Sequence, residues 1–132
     1  MQTMRYINIL DRVSRVKTMK CFDYNNTILF AVPGSMMSRA IGRGAENIRM
    51  MQEQLGKKIR IIEEPSNLKD AEKFVKDVVA PVGFRAVEIK DNLLILNAGP
   101  QSKASLIGRN RRREEELAEI IKGVFNLELK II

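Results

Sequence analysis

One stretch of this chain is written twice. Asn26-Thr27-Ile28-Leu29-Phe30-Ala31-Val32 ends in Pro33-Gly34 and is followed by Ser38-Arg39-Ala40-Ile41-Gly42-Arg43. Asn92-Leu93-Leu94-Ile95-Leu96-Asn97-Ala98 ends in Gly99-Pro100 and is followed by Ala104-Ser105-Leu106-Ile107-Gly108-Arg109. The offset of 66 residues carries Asn26 onto Asn92, Ile41 onto Ile107 and Gly42 onto Gly108 without a gap, and twice that offset is the full 132 residues. A repeat of this kind restricts the fold more than any local propensity, because each copy must build the same supersecondary unit. The expected division is residues 1–65 and 66–132, with the polar break Pro65-Ser66-Asn67 between them.

Hydrophobic periodicity gives both halves one order of elements. In the first, Tyr6 to Val16 reads as a helix, and Lys17 to Tyr24 and Thr27 to Val32 read as strands joined at Asn25-Asn26, a pair suited to positive φ in a tight hairpin. Met37 and Ile41, then Ile48, Met51 and Leu55, fall at helical spacing, with Gly56 as a stop. Lys58 to Ile61 alternates like a half-buried strand. In the second half Asn67 is placed to cap a helix whose apolar face is Leu68, Ala71, Val75, Val78 and Val79, ending before Pro81. A hairpin then runs from Phe84 to Lys90 and Leu93 to Ala98 about Asp91-Asn92. Leu117, Ile120, Ile121 and Val124 form the next helical face, and Leu127, Leu129 and Ile131 alternate in a last strand. The expected fold class is α+β, each half running helix, strand, strand, helix, helix, strand.

Composition narrows the function. There is no histidine, which removes the commonest general base and the commonest metal ligand, and the lone Cys21 permits no internal disulfide. No catalytic residue, metal site or cofactor is expected, and no small-molecule substrate. No apolar run approaches the roughly 20 residues that span a bilayer, and Arg5, Asp11 and Arg12 interrupt any signal-peptide core. A cytoplasmic protein with no membrane role is the expectation. The 23 Lys and Arg against 16 Asp and Glu give a net charge of +7, which favours polyanionic partners. The first 65 residues hold 11 basic and 6 acidic groups, the remainder 12 and 10, so the first half is the more cationic.

In each half the segment between the two short helices carries the chemistry: Ile41-Gly42-Arg43-Gly44-Ala45-Glu46-Asn47-Ile48 and Ile107-Gly108-Arg109-Asn110-Arg111-Arg112-Arg113-Glu114. A glycine there lets the backbone turn and approach a ligand closely, and free N–H groups at the next helix start attract phosphate. Arg111-Arg112-Arg113 at a helix start opposes the helix dipole. A phosphate would compensate, and so would Glu114, Glu115 and Glu116 directly after; both readings stay open. Gly42-Arg43-Gly44 also begins a dinucleotide-type G-x-G-x-x-G, but position 47 is Asn and a helix precedes it, so that reading is rejected. Met36, Met37, Met50 and Met51 are assigned to the core.

The first loop resembles the I-G-x-x-G-x-x-I signature of KH domains, matching at Ile41, Gly42 and Ile48, with Ala45 where the second glycine stands. The second loop keeps Ile107 and Gly108 but has Arg111 and Glu114 at the later positions. The order of elements is that of the type II KH fold, and the tandem pair is similar to the KH portion of the NusA family. A bacterial member also carries a polymerase-binding domain and an S1 domain, which do not fit this length, so the archaeal two-KH form is the match. The resemblance implies two tandem type II KH domains, each with a three-stranded mixed sheet, binding single-stranded RNA in transcription termination or antitermination without catalysis. It places a clamp at Gly42, Arg43, Gly44 and Ala45, with Ile41 and Ile48 beside it and Arg39 and Arg49 flanking, and a second clamp at Gly108, Arg109, Asn110 and Arg111. RNA polymerase enters as a further expected partner. Two rival readings are a KH-shaped assembly module docking on RNA polymerase or a ribosomal particle, and a single-stranded DNA binder.

Overall fold

Asn25 and Asn26, at φ 52° and 58°, reverse the chain in two residues, as short polar side chains that tolerate the left-handed region can. That reversal organises the first of two units into which the computed structural model, describing residues 2–132, divides: one ends at Glu64 and the other is Pro65–Ile132. The first runs α1 (Gln2–Ser14), β1 (Lys20–Tyr24), β2 (Thr27–Val32), α2 (Met37–Ile41), α3 (Glu46–Leu55) and β3 (Lys58–Glu63). The second runs α4 (Ala71–Val79), β4 (Ala86–Lys90), β5 (Leu93–Asn97), α5 (Lys103–Ile107), α6 (Arg112–Phe125) and β6 (Glu128–Ile131). Single 3-10 turns precede α2, α3, α4 and α6. Both units are α+β and realise the order of elements that the periodicity implies. Among the described residues no helix is long and apolar enough to cross a membrane.

In each sheet the middle strand pairs antiparallel with one neighbour and parallel with the other. Phe22 lies opposite Leu29 and Phe30 opposite Ile61 in the first, Val87 opposite Leu96 and Leu94 opposite Leu129 in the second. Ile28, Phe30 and Val32 of β2 gather with Tyr6, Ile9 and Leu10 of α1, Ala40 of α2, Met51 of α3 and Ile59 and Ile61 of β3. The three helices therefore share one face of the sheet. In the second unit Leu94, Leu96, Phe74, Val75, Val78, Leu106, Leu117 and Ile121 are fully buried, and Phe74 meets Phe125 edge to face at 5.7 Å.

Element ends depart from the periodicity where hydroxyl groups take over backbone bonds. α1 spans Gln2–Ser14 in place of Tyr6 to Val16: Ser14 Oγ donates to Leu10 O at 2.7 Å and accepts from Val16 N at 3.2 Å, and Arg15 turns to φ 64°. β1 starts at Lys20 and not Lys17, because Thr18 Oγ1 donates to Ala31 O at 2.6 Å and accepts from Lys20 N at 3.1 Å, closing the ladder with a side chain. Asn67 caps as expected, its Oδ1 accepting from Lys69 N at 2.8 Å, and Asp70 returns the bond by accepting from Ser66 N at 2.8 Å. Three apolar assignments are corrected. Leu68, on the 3-10 turn ahead of α4, is 50% exposed and Phe74 takes the buried place, while Met36 and Met50 lie on the surface and only Met37 and Met51 reach the core.

Cys21 is buried on β1, and burial, with the charge of Asp23 adding to it, pushes its thiol up to about 12 from an ordinary 9.0. An unfolded chain loses this proton near pH 9 while the native state keeps it to about pH 12. The contribution is therefore whole below pH 9 and is lost as pH rises through that window, by about 1 kcal/mol per pH unit. Urea midpoints measured from pH 8 to pH 10.5 are expected to fall more steeply for the native chain than for Cys21→Ala, and iodoacetamide is expected to label Cys21 only after unfolding.

Candidate nucleic-acid interface

Two peptide segments with different residues take one backbone shape. Gly42 (φ 82°, ψ 166°) and Gly108 (φ 75°, ψ 171°) occupy a region that only glycine enters freely. Two further left-handed residues follow in each loop, Gly44 and Ala45 at φ 59° and 61°, Asn110 and Arg111 at 56° and 60°. The hydrogen bonds also correspond. Gly42 N–H donates to Ser38 O and Ala45 N–H to Gly42 O; Gly108 N–H donates to Ala104 O and Arg111 N–H to Gly108 O. Arg111 where the KH signature has glycine thus leaves the backbone path unchanged. α3 and α6 start from Ala45 and Arg111 with no side-chain cap, so first-turn N–H groups are left for water or an anion.

The glycines are held at this shape from below. A Cβ on Gly42 would lie 2.9 Å from the backbone N of Asn47, and one on Gly108 would lie 2.6 Å from Arg113 Cγ. Asn47 also donates from Nδ2 to Arg39 O at 3.0 Å, stitching the end of α2 to the start of α3. Asn47 and Arg113 are loop-forming residues that motif matching passes over; their signal was the 66-residue offset, which pairs them. A Cβ on Gly44 would meet nothing within 4 Å, so that position opens to solvent.

The loops differ in charge. Arg43, Gly44, Arg109 and Asn110 are exposed, and neither Arg43 nor Arg109 has a side-chain bond among the described residues. Arg39 and Arg49 are engaged, the first donating from Nε to Ser14 O at 3.2 Å and the second from Nη1 to Gly44 O. Ile41 and Ile48 are half-buried against the core. In the second loop Arg111 donates from Nε to Glu114 Oε1 at 2.8 Å, a bond that together with the Glu114 charge raises the guanidinium above its ordinary pKa, and Arg113 pairs with Glu116 at 2.9 Å. Of the two compensations left open above, the glutamates supply one within the chain.

The first of the two loops falls within a family match. The KH domain family matches residues 27–76, from β2 through both helices, the first loop and β3 into α4. Over 120 residues the chain is 26% identical to the probable transcription termination protein NusA of Methanocaldococcus jannaschii, spanning 88% of this chain and 64% of that protein's length. The proteins of the same description from Methanococcus vannielii and Thermoplasma acidophilum are 26% and 23% identical over 130 residues each, with 73% and 88% of their lengths covered. The chain is similar to archaeal NusA proteins and carries a KH-domain match over its first loop. The crystal structure of APE1850 superposes on this chain with a TM-score of 0.70 at 24% identity, over 98% of this chain and 96% of that one.

The loop glycines carry different burdens. Gly42→Ala and Gly108→Ala meet both a forbidden φ/ψ and a steric overlap and are expected to cost about 2 to 3 kcal/mol. Gly44→Ala meets only the left-handed penalty, about 1 kcal/mol. Urea unfolding of the three variants checks the order.

Proposed function

We propose that this chain grips the backbone of single-stranded RNA at the Gly42–Ala45 loop and acts in transcription termination or antitermination, as a binding protein without a catalytic step. The observation that carries the reading is the exposed, unpaired Arg43 beside Gly44, set on a left-handed loop that opens onto an uncapped helix start. The named relatives supply the link to transcription. Each unit is read as a type II KH domain, in line with its element order and its parallel pairing of second and third strands. A cytoplasmic site of action and a contact with RNA polymerase belong to the same reading.

The second loop is read as the weaker clamp. Its backbone is competent and Arg109 is free, but Arg111 is tied to Glu114, so a phosphate there would compete with a carboxylate 2.8 Å from the guanidinium. That pairing favours a second role for the unit, as a docking surface for a protein partner.

Fluorescence anisotropy with short single-stranded RNAs tests this at two salt concentrations. Arg43→Asp/Gly44→Asp keeps the fold, since Asp tolerates the left-handed region and a side chain at position 44 enters open space. The expected result is at least a tenfold loss of affinity, against a smaller loss for Arg109→Asp/Asn110→Asp. Unchanged affinity in both variants with circular dichroism intact would sink the clamp. Matched DNA oligomers in the same assay decide the kind of nucleic acid.

A further inference from the structure

The outward side of α1 carries charge that the clamp does not use. Arg5, Asn8 and Arg12 recur at three and four residues, so they lie on one side of the helix. With Gln54 of α3 and the buried Ile9 they line an open groove of about 690 Å³. Arg12 Nη2 donates to Gln54 Oε1 at 3.1 Å, which holds that guanidinium across the groove and leaves its other N–H groups available. Among the described residues neither Arg5 nor Arg12 has a carboxylate partner.

The second unit provides an internal control. Setting the buried Tyr6, Ile9 and Leu10 on the buried Ala71, Phe74 and Val75 brings Arg5, Asn8 and Arg12 onto Asp70, Lys73 and Asp77. There the charges are satisfied locally: Lys73 pairs with Asp77 within α4 at 3.1 Å, and Asp70, just ahead of the helix, accepts from Ser66 N. One helix side is self-neutralised in one unit and bears two uncompensated guanidiniums in the other. Arg5 and Arg12 stand seven residues apart, about 10 Å along the helix axis, so each can engage an anion of its own.

Two helices connect the groove to the clamp. α3 begins at Glu46, directly after the loop, and Gln54 lies eight residues on, about 12 Å along the axis. Arg39, from the helix that enters the loop, reaches Ser14 O, two residues past Arg12. We infer that the groove of Arg5, Asn8, Arg12 and Gln54 binds phosphodiester groups of the same RNA strand beyond the Gly42–Ala45 loop, a second backbone contact that lengthens the footprint of the first unit. This rests on the clamp reading for the identity of the strand. Arg5 and Arg12 supply charge, and the Asn8 and Gln54 amides supply hydrogen bonds to phosphate and ribose oxygens, so the contact carries no base preference.

Arg5→Gln/Arg12→Gln keeps two good helix formers at exposed positions, so α1 stays intact. Its binding is compared with the native chain on RNAs of about 5 and about 15 nucleotides, the shorter filling little more than one clamp. For the longer RNA the slope of log affinity against log salt is expected to fall by about 1.4, two contacts at about 0.7 each, while the shorter RNA is unaffected. Lys90→Gln/Lys103→Gln removes the same charge from the second unit and is expected to leave the slope alone. An unchanged slope for the longer RNA, or an equal loss in the lysine control or on the shorter RNA, overturns the groove. Arg43→Asp/Gly44→Asp run alongside separates the two readings: the clamp fails by itself if that variant binds both RNAs normally, and both fail if the native chain binds neither.

Discussion

Everything distinctive about this molecule depends on one backbone constraint: within four residues the chain must leave a helix, pass three left-handed positions and enter another helix. The first position has ψ near 170°, so the requirement for glycine at 42 and 108 is absolute in a way that the next two are not. Asn47 and Arg113 pack beneath those glycines, and a side chain in their place would push the two helices apart. The loop is therefore a joint with no spare volume on its inner side and open solvent on its outer side. That asymmetry suits a ligand that approaches from outside as a chain of phosphates.

The two units show how far electrostatics can diverge on a fixed backbone. Ala45 and Arg111 share φ within a degree, yet one adds no charge and the other adds a cation promptly taken up by Glu114. A non-glycine residue in the left-handed region costs of order 1 kcal/mol or more; both copies bear that cost at the last loop position, Ala45 and Arg111, and the second bears it again at Asn110. Shape has been kept and charge has been spent differently. The same contrast runs through the opening helices, where Arg5 and Arg12 of one unit stand where Asp70 and Asp77 stand in the other.

Much of this is legible in the sequence alone, for identifiable reasons. Asn25-Asn26, Gly56 and Asn67 each prescribe a local conformation with few alternatives, and the structure has them at φ 52° and 58°, at φ 67° and as a side-chain cap. The repeat fixed the element order because two copies had to satisfy one pattern. Less legible were the bonds that side chains borrow from the backbone. Nothing in the periodicity says that Ser14 ends α1 or that Thr18 stands in for a strand residue, since a hydroxyl can equally face water. Exposure of Leu68 and Met50 was illegible for a different reason: helical spacing names a stripe but not its width, and both residues lie at its margin. At the loops, residue type marked the turning points but could not tell that Arg39 and Arg49 are engaged with carbonyls while Arg43 is free.

The parallel pairing of β2 with β3 has a kinetic side. Thr27 faces Lys58, so the segment between these strands, which contains α2, the loop and α3, is itself the closure that brings them together. The β1–β2 hairpin closes over two residues and forms early on any account of chain entropy, whereas β3 must wait for the helix pair to fold back. The Gly42–Ala45 joint is the elbow of that return. A strand of nucleic acid lying across the elbow would brace it, so that β3 cannot peel away while the ligand stays in place. Binding at the surface would then be felt as slower unfolding of the sheet, with the residence time of the ligand setting the lifetime of the fold.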